Sequence, residues 1–426
     1  MMNTRMGARM MSTGARMMST SPRLSSRGRA LASGGGAAAS VWEAVNALAA
    51  KPGNINMGQG FPDFIGSAVA RKAAVLAIEE GTAALNQYSP QPGLLSLRQS
   101  VSNFVQRRYD ATYDSMSEVI ITTGGQEALA AAFFAFLEPG DEVVIFEPCY
   151  PFMLGAILQA GAIPRVITLK PPEFGIDEAA VRSACASPKA KMLIINSPHN
   201  PTGHVATLQE LRLLADVCTQ HDLIAISDEV YEHCVFPSAA TPRHRQLASE
   251  PGMRERTITL GSGGKLFALT GWRVGWAYGP AELLQPLSRA HTHLTFNAPT
   301  PLQHGIAEAL EAEDGLADVP GLFGGNFELL ASALREGGSG VGGICEAQGG
   351  YFLVAQTDGS ADVDFCTRLA QQRGVVCTPM SVFYAPRSAE EEAEAEPCKL
   401  VRFTVCKSRA YIERACEALR RGGAGS

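Results

Sequence analysis

From about residue 118 onward, short apolar runs alternate with longer amphipathic stretches, and this alternation restricts the chain to few architectures. "EVIITTGG" reads as a strand entering a loop, and "QEALAAAFFAFLEPGD" as a helix ending at Pro-Gly-Asp. "EVVIFEP", "KMLIINSP", "LIAISDEVY" and "RTITLGSGGK" read as further strands. "LQELRLLADVCTQHD" is an amphipathic helix with Leu208, Leu211, Leu214, Ala215 and Cys218 on one face. The expected fold class is α/β, with a mostly parallel sheet covered by helices on both faces. Ligands bind such sheets at the carboxyl ends of the strands, which directs attention to the loops there. After Pro320 the texture changes to that of a smaller α+β layer, and "SAEEEAEAEP" (388–397) reads as a solvated acidic loop.

Bulk properties narrow the function. A chain of 426 residues is too long for one simple core. A net charge of −6, without a basic stripe carrying interleaved aromatics, argues against a nucleic-acid partner. The run "ALAAAFFAFL" (128–137) is too short to span a bilayer. The ten cysteines form no CxxC pair, which argues against a zinc site or a disulfide framework and for free thiols. Residues 1–42 hold six arginines and no acid, and "RMMST" occurs twice; this is the composition of a mitochondrial or plastid transit leader. A plain disordered tail has the same composition.

The unusual residues fall at the strand ends. Gly124 and Gly125 stand just before a helix, where free N–H groups face an anion; a tight turn alone accounts for the same glycines. Tyr150, between prolines in "EPCYP", is either a packing aromatic or a plate for a planar ring. "NSPHNPTG" is a rigid turn that aims Asn200. Asp228 and Tyr231 end an apolar strand in "SDEVY", and a carboxylate drawn inward there requires a cationic partner. Lys265, one of only eight lysines, lies among small and apolar residues in "SGGKLFALTGWRVGW". A desolvated lysine near other cations becomes a nucleophilic amine, most often one that condenses with an aldehyde. Ser262 and Arg273 flank it, and a guanidinium matches a phosphate bidentately. One ligand satisfies the whole set: pyridoxal phosphate. Its phosphate would meet Gly125, Gln126, Ser262 and Arg273, and its ring Tyr150. Its phenolic oxygen would meet Asn200 and Tyr231, its ring nitrogen Asp228, and its aldehyde Lys265.

The chain resembles the class I aminotransferases of fold type I, and within them the kynurenine aminotransferases, also called glutamine transaminase K or cysteine-S-conjugate β-lyase. The segments that carry the resemblance include "NMGQGFPDF" (56–64), "NQYSPQPGLLSLR" (86–98), "NSPHNPTG", "SDEVY", "PGMRERTITLGSGGKLFALTGWRVGWAYGP" (251–280), "GVVCTPMSVFY" (374–384) and "VRFTV" (401–405). They span roughly residues 40 to 415. The resemblance implies a seven-stranded-type sheet and a small domain built from both chain ends. It divides the chain into a leader (1–38), an N-terminal arm belonging partly to the small domain (39–68), a large cofactor-binding domain (69–319) and a C-terminal small domain (320–426). It also implies roles. Lys265 is the cofactor-linked lysine and general base, and Asp228 pairs with the ring nitrogen. Arg402 grips the substrate carboxylate with Gly60 and Asn200 beside it, while Trp42 and Phe383 line the side-chain pocket. Tyr88 reaches the phosphate of a neighbouring subunit, so a homodimer is expected. The expected reaction is ping-pong transamination between an L-amino acid and a 2-oxo acid. The same cage could support β-elimination, and a non-catalytic module of this fold is the competing reading from another class. No metal and no membrane are expected.

Overall fold

The computed structural model describes residues 36–237, 243–316, 318–336, 338, 340–386 and 395–421, with Leu24 and Gly28. The expected leader lies almost wholly outside these residues, and so does most of the acidic 388–397 stretch.

In chain order the strands are β1 (Ile55–Asn56), β2 (Val119–Thr122), β3 (Glu142–Glu147), β4 (Ile163–Thr168), β5 (Ala190–Asn196), β6 (Ile224–Asp228), β7 (Thr257–Ser262), β8 (Gly275–Tyr278), β9 (Gly343–Ile344), β10 (Phe352–Gln356), β11 (Val375–Val376), β12 (Thr378–Pro379) and β13 (Leu400–Thr404). Helices include α1 (Gly36–Ala49), α2 (Ala68–Glu79), α3 (Leu95–Tyr109), α4 (Gly125–Phe136), α5 (Pro151–Gln159), α6 (Glu178–Cys185) and α7 (Leu208–Gln220). They continue with α8 (Gly263–Leu266), α9 (Ala281–Leu294), α10 (Thr300–Ala312), α11 (Val319–Glu336), α12 (Asp362–Arg373) and α13 (Arg409–Arg420).

The large sheet has seven strands in the order β2-β8-β7-β6-β5-β3-β4. Its strands from β7 to β4 pair in parallel, and β8 runs antiparallel to both β2 and β7. Both faces are covered. Val143, Ile145, Met192 and Ile194 enter one apolar cluster with α4, α5 and α9. Their neighbours Val144, Phe146, Leu193 and Ile195 enter another with α6 and α7. Side chains alternate across a strand, so a strand buried on both sides must be apolar throughout. That is why "VVIF" and "MLII" read as unbroken apolar runs.

α7 starts where the sequence directs. Thr207 accepts from the Glu210 amide, and the Glu210 carboxylate accepts from the Thr207 amide. His204 Nε2 lies 3.0 Å from the same carboxylate, which is held down to a pKa of about 2 despite its burial, chiefly by His204 and backbone N–H groups.

The C-terminal part is a four-stranded antiparallel sheet, β12-β13-β10-β9, packed against α11 and α13 around Phe327, Leu330, Phe403 and Ile412. β1 pairs in parallel with β11, so the arm near residue 55 joins a strand more than 300 residues later. Among the described residues, no helix is long and apolar enough to cross a membrane.

Candidate active site

The carboxyl ends of the parallel strands lie along one edge of the sheet, and each delivers one polar group there. β5 ends at Asn196, whose side-chain oxygen accepts from the Asn200 amide at 2.7 Å. Asn196 Nδ2 in turn donates to the Asp228 carbonyl at 2.9 Å, so two neighbouring strand ends brace each other. β6 ends at Asp228 and leads to the buried Tyr231. β7 ends at the buried Ser262, and Lys265 follows in the single turn of α8. β3 leads through Pro148 to Tyr150, which caps the start of α5.

β8 accounts for Arg273. Because β8 is antiparallel, its first residue pairs with the last residues of its neighbours: Gly275 faces Thr122 on one side and Ser262 on the other. Arg273, two residues earlier, therefore lands at the carboxyl edge beside Gly124. Gly124 has φ 84° and ψ 164°, a conformation essentially confined to glycine. A Cβ there would stand 2.6 Å from Arg273 Nη2, so the guanidinium crosses the ground a side chain would occupy. Arg273 itself is left-handed at φ 54°, and its Nη1 donates to the Thr270 carbonyl at 3.2 Å. Among the described residues no carboxylate pairs with it. Gln126 lies in the first turn of α4 and is exposed.

Lys265 Nζ donates to the Gly60 carbonyl at 3.4 Å and lies 5.3 Å from the Tyr231 ring centre and 5.1 Å from that of Tyr351. Burial lowers its pKa; the Cys406 thiol opposes this, while Arg402 and Arg273 add to the lowering. Asp228 is pushed up to about 7, chiefly by burial. The Val230 amide, at 3.4 Å, and Lys265 only partly offset it. Burial raises Tyr231 well above its usual value, so the phenol keeps its proton at neutral pH and can donate it.

Arg402, on β13, is buried at 3 % exposure. It donates to Asn200 Oδ1 at 2.8 Å and to the Gly58 carbonyl at 3.0 Å. Its guanidinium carbon lies 3.8 Å from the Phe352 ring centre and 4.4 Å from that of Phe383, and Trp42 stands edge-on to Phe383 at 5.9 Å. Burial pulls Arg402 down to about 9, and its Nε finds no partner. Gly60 packs so closely on Phe352 that a Cβ would come within 2.3 Å of the ring.

The structure thus brings Lys265, Asp228, Tyr231, Asn200, Tyr150, Ser262 and Arg273 to the carboxyl edge of the large sheet, where Lys265 meets Gly60 and Tyr231, and Asn200 meets Arg402 with Phe383 and Trp42 behind it. Tyr88 stands apart. It is 80 % exposed, packs edge-on to Phe296 at 5.2 Å, and borders an open groove formed by Asn86–Tyr88 and Asn297–Pro301. The sequence reading missed Tyr351, whose hydroxyl donates to the Lys265 carbonyl at 2.8 Å, and Phe352, which lies under Arg402. Both sit in "GGYFLVAQ", where two aromatics opening a strand were the only available signal.

The donor set fits pyridoxal phosphate on three observations. Arg273, beside Gly124 at the start of α4, has no carboxylate partner among the described residues. Asp228 accepts one long hydrogen bond and has a pKa of about 7, so a cation is wanting beside it. Lys265 is an amine with a lowered pKa.

Comparison with known proteins agrees. The model of the family "Aminotransferase class I and II" matches residues 52–419. The chain belongs to this family. Such aminotransferases depend on pyridoxal phosphate, and this one catalyses transamination. A probable N-succinyldiaminopimelate aminotransferase of Mycobacterium tuberculosis is 39 % identical over 90 % of this aminotransferase and 95 % of its own length. A kynurenine–oxoglutarate transaminase of Dictyostelium discoideum is 32 % identical over 89 % and 93 %. The solved structure of an Escherichia coli methionine aminotransferase is 32 % identical and superposes with a TM-score of 0.82, covering 90 % of this aminotransferase and 96 % of that chain.

Proposed function

We propose that this aminotransferase takes amino donors with aromatic, sulfur-containing or glutamine-like side chains, and that the cleft residues divide the work as follows. The observation that carries the substrate reading is Arg402, a buried guanidinium held between the rings of Phe352 and Phe383 with Trp42 beyond. A carboxylate docked on Arg402 leaves the rest of the substrate facing an aromatic wall, where an apolar or sulfur-bearing side chain is favoured over a second charge. The relatives named for kynurenine and methionine fit this wall. The one named for N-succinyldiaminopimelate makes that compound the discriminating competitor.

Bound pyridoxal phosphate supplies an aldehyde that holds the substrate nitrogen and a ring that accepts electrons. Gly125, Gln126, Ser262 and Arg273 would hold the phosphate, with Tyr88 of a second copy completing the set. Tyr150 would pack against the ring. Tyr231 and Asn200 would donate to the phenolic oxygen, and Asp228 would pair with the ring nitrogen. Lys265 would take the substrate α-proton on its Nζ and give it back in the second half of the exchange. A positioned base of this kind contributes roughly 10²–10⁴-fold, and the burial that lowers the Lys265 pKa favours the free amine. Arg402 and Asn200, already bonded to each other, would bind and orient the substrate carboxylate.

The acid-free, arginine-rich residues 1–42 support import into a mitochondrion or plastid. A reporter fused to that segment should enter one of these organelles, and a reporter left in the cytosol would refute import. For the substrate, kcat/KM across an amino-donor panel is decisive. Methionine, phenylalanine, kynurenine or glutamine should exceed aspartate by ~10-fold or more, the scale of one desolvated charge. Aspartate or N-succinyldiaminopimelate as the best donor would overturn the substrate reading while leaving transamination intact.

A further inference from the structure

The most completely buried lysine of the described chain is Lys407, at 2 % exposure; Lys265 is only partly buried. Lys407 Nζ donates to the Phe61 carbonyl at 2.6 Å, and lies 4.0 Å from the Phe61 ring centre and 5.5 Å from that of Tyr411. No ion pair holds it among the described residues; Asp63 acts on it only at longer range and instead binds the amide and hydroxyl of Ser408, at 2.5 and 2.8 Å. Burial lowers its pKa. A buried ammonium held by one carbonyl and two rings is costly, which asks for a use.

The use lies in the loop it grips. Three carbonyls of residues 58–61 each accept from a different buried or half-buried cation: Gly58 from Arg402, Gly60 from Lys265 and Phe61 from Lys407. On the reading above, two of these three cations are claimed during turnover, Lys265 by the cofactor aldehyde and Arg402 by the substrate carboxylate. Lys407 faces neither. We propose that Lys407 is a positioning residue: the one cationic anchor that keeps the 58–61 loop seated over the cleft when cofactor and substrate draw Lys265 and Arg402 away. The Asp63–Ser408 bonds and the 2.9 Å bond from the Asn56 amide to Tyr411 Oη fix the flanks of the loop. Its first half has neutral partners too: Thr378 Oγ1 donates to the Gly58 carbonyl at 2.9 Å, and Asn56 Oδ1 accepts from the Gly58 and Gln59 amides at 3.2 Å each. Among the described residues the Gly60 and Phe61 carbonyls are the two held by cations alone, so with Lys265 drawn away the second half depends on Lys407.

The inference rests on the assignments of Lys265 and Arg402, which borohydride labelling of Lys265 and the donor panel test separately. Its own test is amide hydrogen exchange over residues 56–64 in wild type and Lys407→Met. Both proteins are measured cofactor-free and again loaded with pyridoxal phosphate and 3-phenylpropionate, a carboxylate without an amino group. The variant should exchange about as wild type does when cofactor-free, where Arg402 and Lys265 still hold the loop. When loaded it should exchange ~10-fold faster than wild type, the scale of one lost charge-assisted hydrogen bond. A residue needed only for packing would raise exchange equally in both states, and that result, or no change in either, would overturn the proposal. Should Lys407→Met fail to fold, Lys407→Gln is read by the same comparison.

Discussion

Asp228 is a carboxyl group shaped by a charge that arrives from outside the chain. In the cofactor-free protein burial pushes it to about 7, from an ordinary value near 3.8. Between those values the folded chain binds more protons than the unfolded one, so this group stabilises the fold at low pH. That contribution is lost as pH rises through about 7. The displacement from 3.8 to about 7 bounds this contribution at about 4 kcal/mol. Asp228→Asn has no charge to bury, so cofactor-free Asp228→Asn should gain stability relative to wild type between pH 5 and pH 8 in denaturant titrations. A constant difference across that range would show that Asp228 is not perturbed in this way. Lys265 drew attention in the sequence through its small and apolar neighbours, and the structure surrounds it with Tyr231, Tyr351 and Gly60. Lys407 gave no such signal, because its partner carbonyl lies 346 residues away and only folding brings the two together.

At the scale of elements, the site is a row of strand ends, and most of those strands were legible. β2, β3, β5 and β6 are buried on both faces over most of their length and therefore appear as apolar runs, while β7, equally buried, alternates Thr257 and Thr259 with Ile258 and Leu260. β4 was not legible. It is an edge strand with Pro164 and Arg165 in its middle and most of its residues partly exposed, which an edge tolerates and a central strand does not. The reversal of β8 was also hidden, since direction is set by the return of the chain and not by composition. Yet that reversal brings Arg273 to Gly124. Gly124→Ala should therefore act on the junction of β2, α4 and β8. The backbone there disfavours a side chain by about 1–3 kcal/mol, and the added methyl displaces the guanidinium. Pyridoxal phosphate should bind at least ~10-fold more weakly, as expected for a lost charge-assisted contact. Cofactor titration with unchanged affinity would remove Arg273 from the phosphate site.

For the whole molecule, two chain ends and a central sheet close on one cleft. The arm enters through β1 and the 58–61 loop, and the C-terminal sheet enters through Arg402. A second copy is the remaining part of the proposal. Tyr88 is 80 % exposed beside Phe296, itself 45 % exposed, at an open groove, and among the described residues no hydrogen bond, ion pair or ring contact joins it to another site residue. The protein should sediment as a dimer, and Tyr88→Phe should weaken cofactor binding without dissociating it. An active monomer would refute the role of Tyr88. The sequence segments that resemble the family gave Tyr88 its role; nothing in the fold of a single chain would have done so.

The most direct measurement is chemical. The purified protein is incubated with pyridoxal phosphate, reduced with borohydride, digested and mapped by mass spectrometry. Only eight lysines are present, so the assignment is unambiguous. The label should fall on Lys265 alone. A label on Lys407 or another lysine, or none at all, would contradict the central claim that Lys265 is the cofactor-linked amine.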